Sequence, residues 1–68
     1  MSEDILENTI KLQRAKLNLT QEQLAELIGV TRKTINTIEN GKFIPSTIIA
    51  IKMARVLHLP VEELFILK

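Results

Sequence analysis

Apolar residues recur at spacings of three and four along most of this chain, and stretches that alternate between apolar and polar residues are scarce. Spacings of three and four put side chains on one face of an α-helix, whereas a half-buried β-strand requires a period of two. The pattern therefore predicts a domain made almost entirely of helix, with five short helices joined by loops.

The apolar spacing alone sets the bounds of the first predicted helix. This helix runs from about Asp4 to Lys16 and carries Leu6, Ile10 and Leu17 toward one side. It ends before the polar break at Asn18. We expect that side of the helix to contribute to the core.

Stronger local signals mark the second predicted helix. Thr20 and Gln23 match a capping box, in which the Thr20 hydroxyl accepts a hydrogen bond from the Gln23 amide and the Gln23 side chain reaches back. The helix then runs to Ile28. Gly29 is suited to end it, because glycine adopts a positive φ at little cost.

The three remaining helices are predicted from capping residues and prolines. Thr31 is expected to cap the third helix, which ends at Asn40–Gly41. The fourth helix is predicted over about Thr47–Leu57. Pro60 suits the first turn of a fifth, short helix that ends near Phe65. The last residues form an apolar tail, with a short C-terminal strand as one option for its structure.

Composition describes one small globular domain, predicted to span residues 1–68. The chain has no cysteine and one histidine, which argues against a disulfide, a thiolate metal site or a zinc site.

Its start is acidic and its longest apolar runs are four residues, so we expect a cytoplasmic protein that does not span a membrane. The net charge is +1, but residues 10–43 hold six basic and three acidic residues, a weak indication of a polyanionic partner.

Residues 20–39 have the features that a helix-turn-helix requires. Two helices that cross steeply through a short turn need a small residue where they touch and a flexible one at the turn, and Ala25 and Gly29 fill these positions. The face of the third helix opposite its apolar side carries only polar residues: Arg32, Lys33, Asn36 and Thr37. A polar face on a short helix is usually just solvated, but in a helix-turn-helix it enters the major groove of DNA.

The polar residues of the third helix have the chemistry to read base edges. Arg32 can donate two hydrogen bonds to guanine O6 and N7, and Lys33 can donate to the same acceptors. Asn36 has the amide that pairs with adenine. Each good pair discriminates between bases by about 1–3 kcal/mol.

The sequence resembles the small phage-repressor and Cro-like (XRE-type) helix-turn-helix transcription regulators. The resemblance covers nearly the whole chain from Ile10 to Phe65 and is highly specific. It is carried by Leu19-Thr20-Gln21-Glu22-Gln23-Leu24-Ala25, Gly29-Val30-Thr31-Arg32, Thr34-Ile35, Ile38-Glu39-Asn40-Gly41-Lys42, Pro45-Ser46 and Leu64-Phe65. It implies a compact five-helix, all-α DNA-binding domain that acts as a dimer on a short palindromic operator.

Site residues follow from the resemblance position by position. The third helix becomes the recognition helix, with Arg32, Lys33 and Thr37 where family members touch bases. Asn36 faces nearby and is expected as a fourth base contact because of its amide. The expected phosphate contacts are Gln21, Thr31, Thr34 and Lys42. The resemblance also implies an ion pair between Arg14 and Glu39. Lys33 departs from a common glutamine, so it is better suited to guanine or phosphate than to adenine.

The tail at residues 64–68 is the expected dimer contact, through Phe65, Ile66 and Leu67. Because the chain is short and its end is apolar, pairing with a second copy is favoured over folding back onto its own core. In such a dimer the two recognition helices should lie about 34 Å apart, so that they meet successive major grooves.

The sequence therefore predicts a sequence-specific regulator of transcription that binds double-stranded DNA, and more specifically a homodimeric repressor. The antitoxin of a toxin and antitoxin pair is one alternative, and a protein-interaction module with the same fold is another. An enzyme is not expected, because the chain offers no Ser/His/acid set, no phosphate-binding glycine loop and no metal cluster. No cofactor or metal ion is expected.

Overall fold

The computed structural model describes residues 4–68, so the first three residues of the predicted domain lie outside the described range. These residues form five helices and two short strands. In chain order they are β1 (Leu6–Asn8), α1 (Ile10–Lys16), α2 (Gln21–Ile28), α3 (Arg32–Glu39), α4 (Thr47–Leu57), α5 (Val61–Leu64) and β2 (Phe65–Leu67). No helix among residues 4–68 is long and apolar enough to cross a membrane.

The two ends of the described chain pair as a two-stranded antiparallel sheet. Leu6 lies opposite Leu67, and Asn8 lies opposite Phe65. The pairing continues beyond the strands, since the Ile5 and Lys68 backbones exchange hydrogen bonds of 3.1 and 2.8 Å. The predicted start of the first helix at Asp4 is therefore wrong, and the fold is mostly helical rather than all-α. The optional C-terminal strand is present.

Local capping signals explain the bounds of α2. The Thr20 hydroxyl accepts from the Gln23 amide at 3.0 Å, and the Thr20 amide donates to the Gln23 side chain at 2.9 Å, which completes the capping box. Gly29 follows the helix in the left-handed region, with φ 80°. The predicted start and end of this helix are confirmed.

The later helices also begin at capping residues. The Thr31 hydroxyl accepts from the Thr34 amide at 3.2 Å at the start of α3, and the Ser46 hydroxyl accepts from the Ile49 amide at 3.2 Å at the start of α4. Pro60 is the N-cap of α5, one position before the predicted first turn. These bounds match the predicted third and fourth helices and shorten the fifth to four residues.

A single apolar core lies between the five helices and the sheet. Its buried members are Ile10, Leu24, Ala25, Ile28, Ile35, Ile38, Met53, Ala54, Leu57, Leu64 and Phe65. The apolar sides of α2 and α3 are buried as predicted. Of the side predicted for the first helix, Ile10 is buried, Leu6 packs against the core from β1 and Leu17 is exposed. Leu17 lies beyond the last turn of α1, because this helix ends at Lys16.

Replacing Gly29 with alanine should destabilise the domain. The open space around this residue would accommodate a Cβ atom, so the cost comes from the backbone, which alanine adopts at φ 80° at a penalty of about 1–2 kcal/mol. His58 ends α4 in the same region, with φ 60°, so His58→Gly is expected to have the opposite sign. Urea unfolding of both variants measures the two changes, and equal stability of Gly29→Ala and the wild type would contradict the expectation.

Candidate nucleic-acid interface

Helix α3 is fixed to the core through one face and exposes the other. Ile35 and Ile38 are buried in the core. Arg32, Lys33 and Asn36 are exposed, while Thr37 is half-buried at the edge of the same face. The structure thus brings the four predicted base-contacting residues together on one side of a short helix.

The threonines of this region use their hydroxyls within α3. Thr37 donates to the Thr34 carbonyl at 2.9 Å, and the hydroxyl oxygens of Thr31 and Thr34 are 3.1 Å apart. The Thr31 hydroxyl also caps the helix. One of these two hydroxyls donates to the other, and the hydroxyl that accepts keeps its own hydrogen, which it could donate to a phosphate oxygen. The role of Thr31 and Thr34 in binding phosphate therefore remains a prediction, beside the capping role that the structure gives Thr31.

An ion pair joins α1 to the end of α3. Arg14 donates from Nε to Glu39 Oε2 at 2.6 Å and from Nη2 to Glu39 Oε1 at 3.1 Å. The side chains are 13% and 7% exposed. Arg14 Nη1 also donates to the Leu19 carbonyl at 2.9 Å, in the loop before α2. The ion pair implied by the family resemblance is confirmed, and it holds three parts of the chain together.

Gln21 extends this network to the exposed face of α3. Its Nε2 atom donates to Glu39 Oε1 and to Asn36 Oδ1, both at 3.2 Å. An amide nitrogen has two hydrogens, so both are used. A phosphate contact from the Gln21 side chain, predicted from the resemblance, would have to replace one of these bonds.

Asn8 anchors the same C-terminal end of α3 and was missed by the sequence analysis. Its Nδ2 atom donates to the Ile38 carbonyl at 3.1 Å and to the Glu39 carbonyl at 3.3 Å. Its Oδ1 atom accepts from the Ile10 amide at 3.2 Å. Asparagine two positions before an apolar helical residue is a local capping signal that could have drawn attention to it, but its partners at the end of α3 are 30 and 31 residues away.

An open groove of about 510 Å³ lies beside α3 and adds a second residue that the sequence analysis missed. Its lining includes Lys11 from α1, Thr20 and Gln21 from the start of α2, and Arg32 from α3. Lys11 precedes Arg14 by three positions and so lies on the same side of α1. This spacing, together with the implied Arg14–Glu39 pair, could have placed Lys11 near the predicted DNA surface.

Lys42 lies just beyond the C-terminal end of α3 and is exposed. The chain reverses direction there: the Gly41 amide donates to the Ile38 carbonyl at 3.0 Å, and the Lys42 amide donates to the Thr37 carbonyl at 2.9 Å. The backbone of Lys42 is therefore fixed to the same helix that carries the polar face, and its role in binding phosphate remains a prediction.

The tail is only partly available to a second copy. Phe65 is 8% exposed and belongs to the core of its own chain, so it offers little surface to a second copy, and its predicted role as a dimer contact stays a prediction. The antiparallel pairing of β2 with β1 turns this ring inward. Ile66 is half-buried and Leu67 is 68% exposed. The role of these two residues as dimer contacts stays a prediction.

Two capped helices joined through Gly29, with the second one buried on its apolar side and polar on the other, define a helix-turn-helix domain. The helix-turn-helix family model HTH_3 matches residues 10–64. An uncharacterised HTH-type transcriptional regulator from Archaeoglobus fulgidus is 51% identical over 57 residues, which cover 84% of this chain and 80% of the relative.

Solved structures are similar to the chain in the same way. A putative DNA-binding protein from Bacteroides fragilis is 30% identical with a TM-score of 0.80, over 90% of this chain and 98% of that one. The restriction-modification controller protein C.AhdI from Aeromonas hydrophila is 30% identical with a TM-score of 0.74, over 79% and 82% of the two chains. The chain belongs to the XRE-type helix-turn-helix family and is a DNA-binding transcriptional regulator.

Removing Glu39 should destabilise the domain strongly. Glu39→Met leaves the sheltered Arg14 guanidinium without its carboxylate, and loss of one partner of such a pair costs about 3 kcal/mol. Arg14→Met with Glu39→Met removes both charges, so the double variant should lose less stability than the sum of the two single variants. Chemical unfolding of the wild type, the two single variants and the double variant gives the coupling, and additive losses would show that the pair does not act as a unit.

Proposed function

We propose that this protein is a sequence-specific transcriptional repressor that binds a short palindromic operator as a homodimer. The observation that carries the proposal is the exposed polar face of α3, which presents Arg32 and Lys33 on a helix whose other side is fixed in the core. Arginine and lysine are donors that match the acceptors of guanine in the major groove. A protein bound tightly over a promoter needs no further activity to repress it.

A basic rim around α3 supports contact with the DNA backbone. Lys11 lies in the groove beside the start of α2, and Lys42 lies beyond the end of α3. Phosphate contacts from both ends of a recognition helix fix its register in the groove, while base contacts provide the specificity. The similar C.AhdI is named a controller protein, and a regulatory role on DNA is consistent with that likeness.

The proposed homodimer requires a surface that a second copy can cover. Four exposed apolar residues lie on α4 and the loop before it, and we call them the α4 surface: Phe43, Ile44, Ile48 and Ile51, which are 42–72% exposed. All four side chains are apolar, and removing exposed apolar area from water favours association of two copies. Because Phe65 belongs to the core, we propose the α4 surface as the main dimer contact and keep Ile66 and Leu67 of the tail as a second candidate contact.

Selection of bound duplexes from a random DNA pool tests the function. We expect enrichment of a two-fold symmetric site, with half-sites about 34 Å apart. Affinity for that site should fall with salt by a logarithmic slope of about 0.9 for each phosphate contacted. No enrichment by protein whose folding is verified by circular dichroism would contradict the proposal. It would favour a protein partner, as in an antitoxin or an interaction module, for which the α4 surface is the candidate contact.

Basic residues on and around α3 should have separable effects. Arg32→Ala is expected to relax the base preference at one position of each half-site. Lys42→Ala and Lys11→Ala are expected to weaken binding to all sequences about equally. In each half-site, every phosphate that these variants no longer neutralise should lower the salt slope by about 0.9.

Titration of the selected site and of single-base variants at two salt concentrations measures both effects. Lys16→Ala, at the other end of α1, is the matched lysine control and should leave the base preference and the salt slope unchanged. Equal changes of base preference in Arg32→Ala and Lys42→Ala would contradict these assignments.

Charged substitutions should locate the dimer contact. Ile48→Lys places an ammonium group in the centre of the α4 surface and should give a monomer by light scattering, because burying an unpaired charge is costly. Leu67→Lys should weaken the dimer less. A monomer from Leu67→Lys alone would move the contact to the tail, and an unchanged mass for both variants would contradict a dimer through either surface.

A further inference from the structure

The side chain of Asn36 has a defined orientation on the exposed face of α3. An asparagine amide offers an acceptor on one side and two donor hydrogens on the other, and which side faces the DNA decides which base it can read. The neighbours of an amide fix this orientation, since oxygen and nitrogen are otherwise similar in shape. Here the neighbours form a chain of hydrogen bonds that starts at the half-buried Arg14.

The orientation follows step by step from Arg14. Arg14 has donors only, and it holds both oxygens of Glu39. The Glu39 carboxylate in turn has acceptors only. The Gln21 atom that lies 3.2 Å from Glu39 Oε1 must therefore be the nitrogen Nε2. The second hydrogen of this nitrogen points to Asn36 at 3.2 Å, so the Asn36 atom facing it must be the oxygen Oδ1.

This arrangement turns the acceptor of Asn36 toward Gln21, whereas its Nδ2 donor takes no part in the bond to Gln21. Adenine is read by asparagine through two bonds, one donated to N7 and one accepted from N6. Both amide atoms must face the same base edge to form this pair, and the bond from Gln21 turns Oδ1 toward the protein, so the second of these bonds is disfavoured although Oδ1 keeps a lone pair. Guanine presents two acceptors, N7 and O6, and a donor-only Nδ2 group matches them better.

We propose that Gln21 is a positioning residue that fixes Asn36 as a hydrogen-bond donor, so that Asn36 selects guanine over adenine. The inference rests on the proposed DNA-binding function and refines it. It also revises the sequence-based expectations at two positions. Asn36 was expected to pair with adenine, and the Gln21 side chain was expected to bind a phosphate.

The test is base selection by Gln21→Met. Methionine keeps the length of the side chain and removes both hydrogen bonds, which frees the Asn36 amide to turn. Asn36→Ala first identifies the position that Asn36 reads, as the base pair whose preference disappears. At that position the wild type is expected to select guanine, and Gln21→Met should shift the guanine-to-adenine ratio toward adenine by about ten-fold.

Gln13→Met is the matched control, because Gln13 donates to Thr9 on α1 and has no bond to the network. It should leave every base preference unchanged. A general loss of affinity or stability in Gln21→Met would not by itself alter the ratio between two bases at one position, so the ratio separates positioning from a merely structural role. Thermal unfolding of each variant verifies that it is folded.

The outcomes distinguish this inference from the function on which it rests. A wild type that selects no DNA would overturn both. A wild type that selects a site, with Gln21→Met showing the same guanine-to-adenine ratio, would overturn the positioning role alone. The same holds if Asn36→Ala changes no base preference, or if the wild type already prefers adenine at the position that Asn36 reads.

Discussion

The paired contact between Arg14 and Glu39 is the interaction on which the arrangement of this domain depends. Arg14 uses three nitrogens, two for the Glu39 carboxylate and one for the Leu19 carbonyl, so α1, the loop before α2 and the end of α3 meet at one side chain. Removing charges from water is costly and is offset only when their hydrogen bonds are complete. This pair is nearly covered and well bonded, so it defines one relative position of the helices rather than several.

The DNA-reading face inherits its geometry from this contact. Glu39 is the last residue of α3, and Asn8 holds the carbonyl groups at the same end of that helix. The buried residues Ile35 and Ile38 hold its inner side. A helix fixed in this way has less conformational freedom to lose on binding, and preorganisation of this kind reduces the cost of association. Polar and apolar contacts thus support the same element from opposite sides.

A chain of hydrogen bonds with fixed donors and acceptors also links the half-buried ion pair to the exposed face of α3. The donor-only guanidinium, the acceptor-only carboxylate and the amide of Gln21 form a chain in which each group determines the next. A charge pair in a small domain can therefore set the orientation of an exposed amide, without any change in the position of the helix, and this is the basis of the proposed base selection. Residues that touch no base then take part in specificity, and an interpretation based only on the exposed face would overlook them.

The sequence by itself determined the features that depend on neighbours within one helical turn. The capping box at Thr20, the glycine stop at Gly29 and the buried and exposed sides of α3 all follow from residues a few positions apart. Only the tertiary structure decided that residues 6–8 form a strand, since their partners lie at the other end of the chain. The same pairing turned Phe65 into the core, which left less of the tail exposed than its composition suggests. The orientation of the Asn36 amide likewise depends on partners from two other helices, and local patterns carry no information about contacts of that range.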